Sequence, residues 1–145
     1  MIKSDANKTR LLYPLVLLTI FIASTLTSFG QSNRANHWVF PDHNHWDFTT
    51  GNPVASYDTL PGFQGSSSIS DTNGNLILYS NGMQVRGANG ALIMNGTNLL
   101  GSNEATQSSL LLPSPSPLNP TRYFLFTVDL VANGNGVNFY EIEMS

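Results

Sequence analysis

The chain contains no cysteine, and it contains no lysine after Lys8. Without cysteine it can form neither a disulfide framework nor a thiolate metal site, so small disulfide-stabilised scaffolds are excluded. Charged residues make up only 10% of the sequence, and nine Asp and Glu residues outnumber six Lys and Arg residues. A sparse and acidic surface argues against nucleic acids and anionic membranes as partners.

A basic and apolar leader occupies residues 1–30. Three basic residues precede the apolar run at 11–26, and the small residues Ser28 and Gly30 stand at positions −3 and −1 of a cleavage site. These features predict a helical signal peptide that is cleaved, leaving a secreted or cell-surface protein with no stable membrane span. The alternative is an uncleaved anchor, because the apolar run is only slightly shorter than the roughly 17 to 25 residues of a spanning helix.

Short strands joined by Gly, Asn and Pro turns are predicted throughout residues 31–145. The clearest case is the segment 65–85, in which a Ser-rich strand, an Asp-Asn-Gly turn and the apolar strand 76–79 predict a β-hairpin. The serines at 66–70 are expected to form one hydroxyl-bearing face. After Gly30, apolar residues recur at helical spacing for no more than one turn, so the predicted fold class is all-β.

Further strands are predicted on both sides of this hairpin. The aromatic segment 123–129 is expected to pair with 137–142 across an Asn-Gly turn, and 106–113 is expected to enter the core. Shorter strands are predicted at 38–40, 46–48, 54–57, 83–85 and 91–94. We expect the aromatic side chains of the first two short strands to pack into one core, because Trp and Phe bury large areas.

An approximate internal repeat links residues 66–79 to residues 106–128. Both contain a polar strand, a connection and an apolar strand, with a proline-rich loop replacing the tight turn in the second copy. Repeats of roughly 40 to 50 residues made of short strands suggest propeller blades, and closed propellers need about four or more blades. We therefore expect antiparallel strands in partial β-propeller-like blades over 31–145. The domain is either an incomplete N-terminal fragment or one that completes its sheets with a partner.

The order of several short motifs resembles the opening of large secreted surface proteins of the Bacteroidetes. The motifs are Trp38-Val39-Phe40, Asp47-Phe48, Gly51-Asn52-Pro53-Val54, Ser68-Ile69-Ser70-Asp71, Gly74-Asn75-Leu76, Leu78-Tyr79, Met94-Asn95-Gly96, Thr106-Gln107-Ser108 and Phe126-Thr127-Val128. Those proteins have propeller-like N-terminal regions, and many carry a C-terminal sorting domain associated with type IX secretion and gliding motility. The resemblance implies a non-enzymatic, adhesion-type module whose partners are surface glycans or other cell-surface proteins.

Histidines and carboxylates cluster between residues 37 and 47. His43 and His45 would share a face if both lay on one strand, and with Asp47 they form a candidate metal set. Pro41 and Asn44 favour the alternative of a solvated loop. We therefore predict no cofactor and keep the metal site as the lesser hypothesis.

Three aromatic residues are candidates for glycan binding: Trp38, Trp46 and Tyr57. They support a rival function, an extracellular glycan-binding or carbohydrate-active propeller. Glu141 and Glu143 share a face of the last strand, but we interpret them as an exposed acidic face rather than a glycosidase pair. The sequence has no Gly-x-Ser-x-Gly nucleophile elbow, and we predict no catalytic residues.

Overall fold

The structure is a computed structural model that describes residues 32–144. The predicted signal peptide at 1–30 lies outside the described residues. Within 32–144 the chain is all-β apart from a 3-10 turn at Ser32–Ala35, and its strands form three antiparallel three-stranded sheets. Among these residues, no helix has the length and hydropathy of a membrane span.

Each sheet contains three strands that are consecutive in the sequence. Sheet 1 contains β1 (His37–Phe40), β2 (Asn44–Asp47) and β3 (Val54–Tyr57). Sheet 2 contains β4 (Ser67–Ser70), β5 (Leu76–Ser80) and β6 (Val85–Gly87). Sheet 3 contains β7 (Ser109–Pro113), β8 (Arg122–Val128) and β9 (Val137–Glu143). The predicted all-β class with antiparallel strands is confirmed. All three sheets pair their strands in chain order.

The predicted hairpin at 65–85 is confirmed. Strands β4 and β5 are joined by a turn in which the Asp71 N–H donates to the Asn75 carbonyl at 2.8 Å. The Asp71 carboxylate accepts the backbone N–H groups of Asn73 and Asn75, both at 2.8 Å, and the Asn75 side-chain amide at 2.9 Å. The side-chain bond from Asn75 contributes most to lowering the pKa of Asp71. Backbone geometry therefore explains this turn.

The predicted pairing of 123–129 with 137–142 is also confirmed, and its turn is likewise held by an aspartate carboxylate. Strand β8 pairs with β9 along seven residues. Asp129 follows β8, and its carboxylate accepts the side-chain amides of Asn133 at 2.9 Å and Asn135 at 2.7 Å. In both hairpins an aspartate just after a strand holds an asparagine four residues later, as Asp71 holds Asn75. The carboxylate closes the turn by accepting its N–H groups.

Serine hydroxyls join the first strand of each sheet to the first strand of the next. On one side of β4, the Ser68 hydroxyl donates to the His37 carbonyl of β1 at 2.6 Å. On the other side, the hydroxyls of Ser67 and Ser109 of β7 share a hydrogen bond of 2.8 Å. The expectation of a single hydroxyl-bearing face is therefore wrong, because successive strand residues point to opposite faces and both faces are used.

The core consists of two clusters, one on each face of sheet 2. Between sheets 2 and 3 lie Ile69, Leu78, Val85, Leu111, Tyr123, Leu125 and Ile142. Between sheets 1 and 2 lies a smaller cluster of Val39, Leu60 and Tyr79. Sheet 2 is therefore covered on both faces, while sheets 1 and 3 each have one face that no other sheet of residues 32–144 covers.

The two predicted strands that follow the β4–β5 hairpin differ from the structure. The third strand of sheet 2 is Val85–Gly87 rather than 83–85, because the Asn81 side chain accepts the backbone N–H groups of the two residues after Gly82 and keeps them in the turn. The predicted strand at 91–94 reduces to a single bridge between Leu92 and β6.

Two buried serines provide a test of the packing between sheets. The Ser108 hydroxyl donates to the Gly65 carbonyl at 2.6 Å, whereas the buried Ser70 hydroxyl has no hydrogen-bond partner among the described residues. We expect Ser108→Ala to lower the free energy of unfolding by about 1 to 3 kcal/mol. Ser70→Ala is expected to be neutral or stabilising, because it removes a buried hydroxyl without a partner. Urea unfolding of both variants makes the comparison, and equal losses would contradict it.

Candidate functional site

The inner face of sheet 1 carries a row of polar side chains that the hairpin register brings together. Strands β1 and β2 pair His37 with Asp47 and Val39 with His45, so these four residues share one face. Strand β3 adds Ser56, which lies opposite His45. Since Val39 packs against sheet 2, this histidine-bearing face is the one turned towards the rest of the protein.

Four of these side chains form a chain across the sheet, which we call the histidine row: Ser56, His45, His37 and Asp47. Ser56 Oγ lies 3.2 Å from His45 Nδ1, and His45 Nε2 lies 2.9 Å from His37 Nδ1. His37 Nε2 then lies 3.9 Å from Asp47 Oδ1. The two imidazole rings are inclined at 44° with their centroids 5.1 Å apart.

One assignment of protons best satisfies the histidine row. If both rings are neutral, Ser56 donates to His45 Nδ1, His45 Nε2–H donates to His37 Nδ1, and His37 Nε2–H points at the Asp47 carboxylate. The opposite direction would turn an unprotonated His37 Nε2 towards an anion. Hydrogen bonds therefore run in one direction from the Ser56 hydroxyl through His45 to His37, and the Asp47 carboxylate lies beyond them at 3.9 Å.

The surroundings keep His45 neutral. Burial lowers the pKa of His45, and His37 lowers it further, while Asp58 and Asp47 act in the opposite direction. The backbone N–H of Thr49 donates to Asp47 at 2.8 Å and is the main cause of the lowered pKa of Asp47. At neutral pH the row therefore combines an uncharged imidazole with a carboxylate.

The lowered pKa of His45 predicts acid destabilisation. Its folded-state pKa lies below the unfolded value of about 6.5, so the unfolded chain binds more protons in that interval. Stability from this residue is present above pH 6.5 and falls as the pH drops through the folded pKa. We expect the free energy of unfolding to decrease between pH 7.5 and pH 5.5, and His45→Gln to reduce that decrease. Urea titrations at both pH values measure it.

His43→Gln is the control for this experiment, because it leaves the His37–His45 pair in place. We expect it to retain the decrease that His45 causes. If His45→Gln and the wild-type protein showed the same dependence on pH, His45 would not be the residue responsible.

His43 and His45 do not lie on one strand, so the condition under which they would share a face is not met. His43 lies in the turn before β2 with φ of +65°, next to Asp42 with φ of +62°, and its Nδ1 contacts the Asp58 carbonyl at 3.1 Å. The structure brings His45 and Asp47 onto one face but leaves His43 in the loop. Within residues 32–144, no group of three or more His, Asp or Glu side chains is arranged to hold a metal ion.

A small polar cavity of about 230 Å³ adjoins the histidine row. Its lining includes His45, Asp58, Thr59 and Tyr79. Burial raises the pKa of Asp58; its Oδ1 accepts the Leu60 N–H, but its Oδ2 is buried without a hydrogen-bond partner in the described part of the chain. Thr59 Oγ1 and the Tyr79 hydroxyl share a bond of 3.1 Å at the cavity wall.

The outer face of sheet 1 is aromatic. Trp38 and Trp46 are directly opposite each other in β1 and β2, and they are 50% and 40% exposed. The Trp38 ring contacts Phe48 and Phe40, with centroid separations of 4.8 and 6.3 Å. The register puts Tyr57 on the same face, on the third strand, where it is 91% exposed. The expected aromatic core is therefore wrong: Val39 occupies the inner face, and alternation turns its aromatic neighbours outward.

The outer face of sheet 3 is a second apolar surface, which was not among the residues predicted from the sequence. It carries Leu110, Leu112, Phe124, Phe126 and Phe139. The Phe139 ring lies 5.6 Å from that of Phe124 and 5.3 Å from that of Phe126, beside an open cavity of about 570 Å³. The signal in the sequence is that apolar residues occupy both alternating positions of β7 and β8, a pattern typical of strands covered on both faces.

The charged side chains of sheet 3 lie at one edge of this apolar surface. Arg122 Nη1 is 3.6 Å from Glu141, and Arg122 Nε is 3.1 Å from Glu143. The Thr121 hydroxyl also donates to Glu143, and this bond is the main cause of the lowered pKa of that carboxyl. Both glutamates are thus held by an arginine, which fits their interpretation as a surface feature.

The described residues offer a polar histidine row, a small cavity beside it, and two apolar outer faces, one on sheet 1 and one on sheet 3. Comparison of the chain with family models, with curated proteins and with solved structures finds no match.

Proposed function

We propose that this chain is a non-enzymatic, exported module that serves a structural or adhesive role in a cell-surface or secreted protein. The observation that carries the proposal is the pair of apolar outer faces, on sheet 1 and on sheet 3. Exposed apolar patches of this kind on a folded domain mark interaction sites. The resemblance to secreted surface proteins of the Bacteroidetes supports the same function, and it points to type IX secretion and gliding motility as its context.

Export is supported by the leader at residues 1–30, with its basic start, apolar centre and small-residue exit. The proposal expects cleavage after Gly30, which leaves Gln31 as the first residue. N-terminal sequencing of the protein recovered outside the cell tests this. Recovery of the intact leader in a membrane fraction would favour an anchor instead.

A blade-like role for the three sheets is supported by the way they follow one another. The first strands β1, β4 and β7 lie side by side through the hydroxyls of Ser68, Ser67 and Ser109. Adjacent first strands and short three-stranded meanders are what propeller-like blades around a common axis would present. In this proposal, residues 31–145 supply three such units of a larger assembly.

The alternative function is glycan binding, and one observation favours it. Trp38 and Trp46 lie opposite each other on a single exposed face, which gives a flat aromatic platform of the kind that stacks on sugar rings. A glycan array on the full-length protein, with Trp46→Ala for comparison, tests it. Phe63→Ala is the matched control, because Phe63 is an exposed aromatic residue outside this face.

A panel of glycoside hydrolase substrates tests the non-enzymatic part of the proposal. The expected result is no turnover by the full-length protein. Turnover of any substrate would overturn the proposal, and its loss in Ser56→Ala or His45→Gln would assign the chemistry to the histidine row.

A further inference from the structure

The outer face of sheet 3 has the composition of a surface that another sheet covers. In β8, Tyr123 and Leu125 point to the inner face and are buried, while Phe124 and Phe126 point outward. On the inner face, the cover is sheet 2. No element within residues 32–144 covers the outer face, although its aromatic and leucine side chains would suit a packed interface.

The existing interfaces show how such a cover is oriented. The inner face of sheet 1 packs on one face of sheet 2 through Val39 and Tyr79. The opposite face of sheet 2 packs on sheet 3 through Leu78 and Leu125. Each sheet therefore presents its two faces in a fixed order along the stack. A sheet added after sheet 3 in the same order would contact it with the face that corresponds to the outer face of sheet 1.

We propose that the outer face of sheet 3 binds the outer face of sheet 1 of a second copy of this chain. This inference rests on the proposed function as an interaction module and names its partner. In this contact, the open cavity beside Phe124, Phe126 and Phe139 receives the aromatic platform of Trp38 and Trp46. It continues the stack from one copy into the next.

Both surfaces suit this contact chemically. The centre of each face is apolar, and the charges of Arg122, Glu141 and Glu143 are already paired with one another at the edge of sheet 3. Two different faces meet, so the association is heterologous and adds copies head to tail. A three-stranded sheet offers only a few hundred Å² per partner, which is at the low end for specific complexes, so we expect reversible association in the micromolar range or weaker.

Sedimentation velocity of the full chain over a concentration series tests the proposal. We expect the sedimentation coefficient of the wild-type protein to rise with concentration. Phe139→Glu places a charge on the sheet 3 face, and Trp46→Glu places one on the sheet 1 face, where both native side chains are partly exposed. Each variant alone is expected to associate at least tenfold more weakly than the wild-type protein.

Mixing the two variants gives the decisive result. The Phe139→Glu chain keeps an intact sheet 1 face, and the Trp46→Glu chain keeps an intact sheet 3 face. An equimolar mixture should therefore form a one-to-one dimer and nothing larger. Self-association of Trp46→Glu alone would overturn the head-to-tail contact in favour of two sheet 3 faces meeting. A wild-type protein that stays monomeric at all concentrations would overturn the proposal altogether.

Matched variants distinguish loss of the proposed contact from a general effect of an added charge and from unfolding. Met94→Glu introduces the same charge at an exposed apolar residue outside both faces and should associate like the wild-type protein. Leu112→Glu and Phe40→Glu repeat the test on the two faces if either first variant unfolds at a lower urea concentration. A monomeric protein would leave the proposed function intact with a different partner, whereas hydrolase turnover would overturn that function without affecting self-association.

Discussion

Leu125→Ala is expected to lower the free energy of unfolding by about 2 to 5 kcal/mol. Leu125 is 0% exposed in the middle of β8, where it lies between Leu111 of β7 and Tyr140 of β9 in the register of sheet 3. Its side chain belongs to the cluster that joins sheet 3 to sheet 2. Alanine would remove these contacts and leave a cavity between the two sheets. The cavity could close only if the strands of one sheet moved. Urea unfolding followed by tryptophan fluorescence measures the loss.

Leu118→Ala is the control for this prediction. Leu118 is 87% exposed in the loop between β7 and β8, and substitutions at such positions usually change stability by no more than about 0.5 kcal/mol. In this control the midpoint and the slope of the urea unfolding curve should both equal those of the wild-type protein. A loss below about 1 kcal/mol for Leu125→Ala would contradict the packing of sheet 3 on sheet 2.

The two long hairpins could be predicted from the sequence because their signals are local. Asp71 to Asn75 and Asn133 to Gly136 contain the Asp, Asn and Gly residues that turns require, and segments rich in β-branched, aromatic or leucine residues lie beside both. In each case the side chain of an aspartate holds the turn, which makes the signal a direct consequence of backbone chemistry. Local signals of this kind do not depend on the rest of the fold.

The inner face of sheet 1 could not be predicted, because it depends on what sheet 2 presents. Hydrophobicity alone places Trp38 and Phe40 inside, yet Val39 and the histidines occupy that face. The reason lies in β4, whose Ser68 hydroxyl bonds to the backbone of β1 and brings the small Val39 side chain against Tyr79. The choice of face was decided by a contact between segments about 30 residues apart.

The histidine row was only partly predictable, for the same reason. The cluster between residues 37 and 47 was visible in the sequence, but its membership was set by the register of β1 and β2. The turn that contains His43 has two residues with positive φ, which fixes the register so that His37 lies opposite Asp47. If the turn is placed at residues 41–43, pairing the two strands outward from it puts His37 opposite Asp47 and leaves His43 in the turn.

A close approach of backbones was also outside the scope of sequence patterns. The sequence contains twelve glycines. Their neighbours in the sequence do not show which glycines only allow a turn and which also allow a second backbone segment to approach closely. Gly82, between β5 and β6, has φ of +88°, and a Cβ atom there would lie 2.7 Å from the Ser108 carbonyl oxygen. That oxygen accepts the Val128 N–H at 2.9 Å, so it cannot move without weakening the pairing within sheet 3.

Gly82→Ala is therefore expected to destabilise the protein by about 3 kcal/mol or more, because the strain of a positive φ adds to an overlap with fixed backbone. Gly134→Ala is the matched control: Gly134 has φ of +81°, but an added Cβ would meet nothing within 4 Å. It reports the cost of the backbone conformation alone, about 1 to 2 kcal/mol. The difference between the two variants in urea unfolding measures the contact between sheets 2 and 3. Equal losses would show that Gly82 is required only for its turn, and that the backbones of the two sheets do not meet at Ser108.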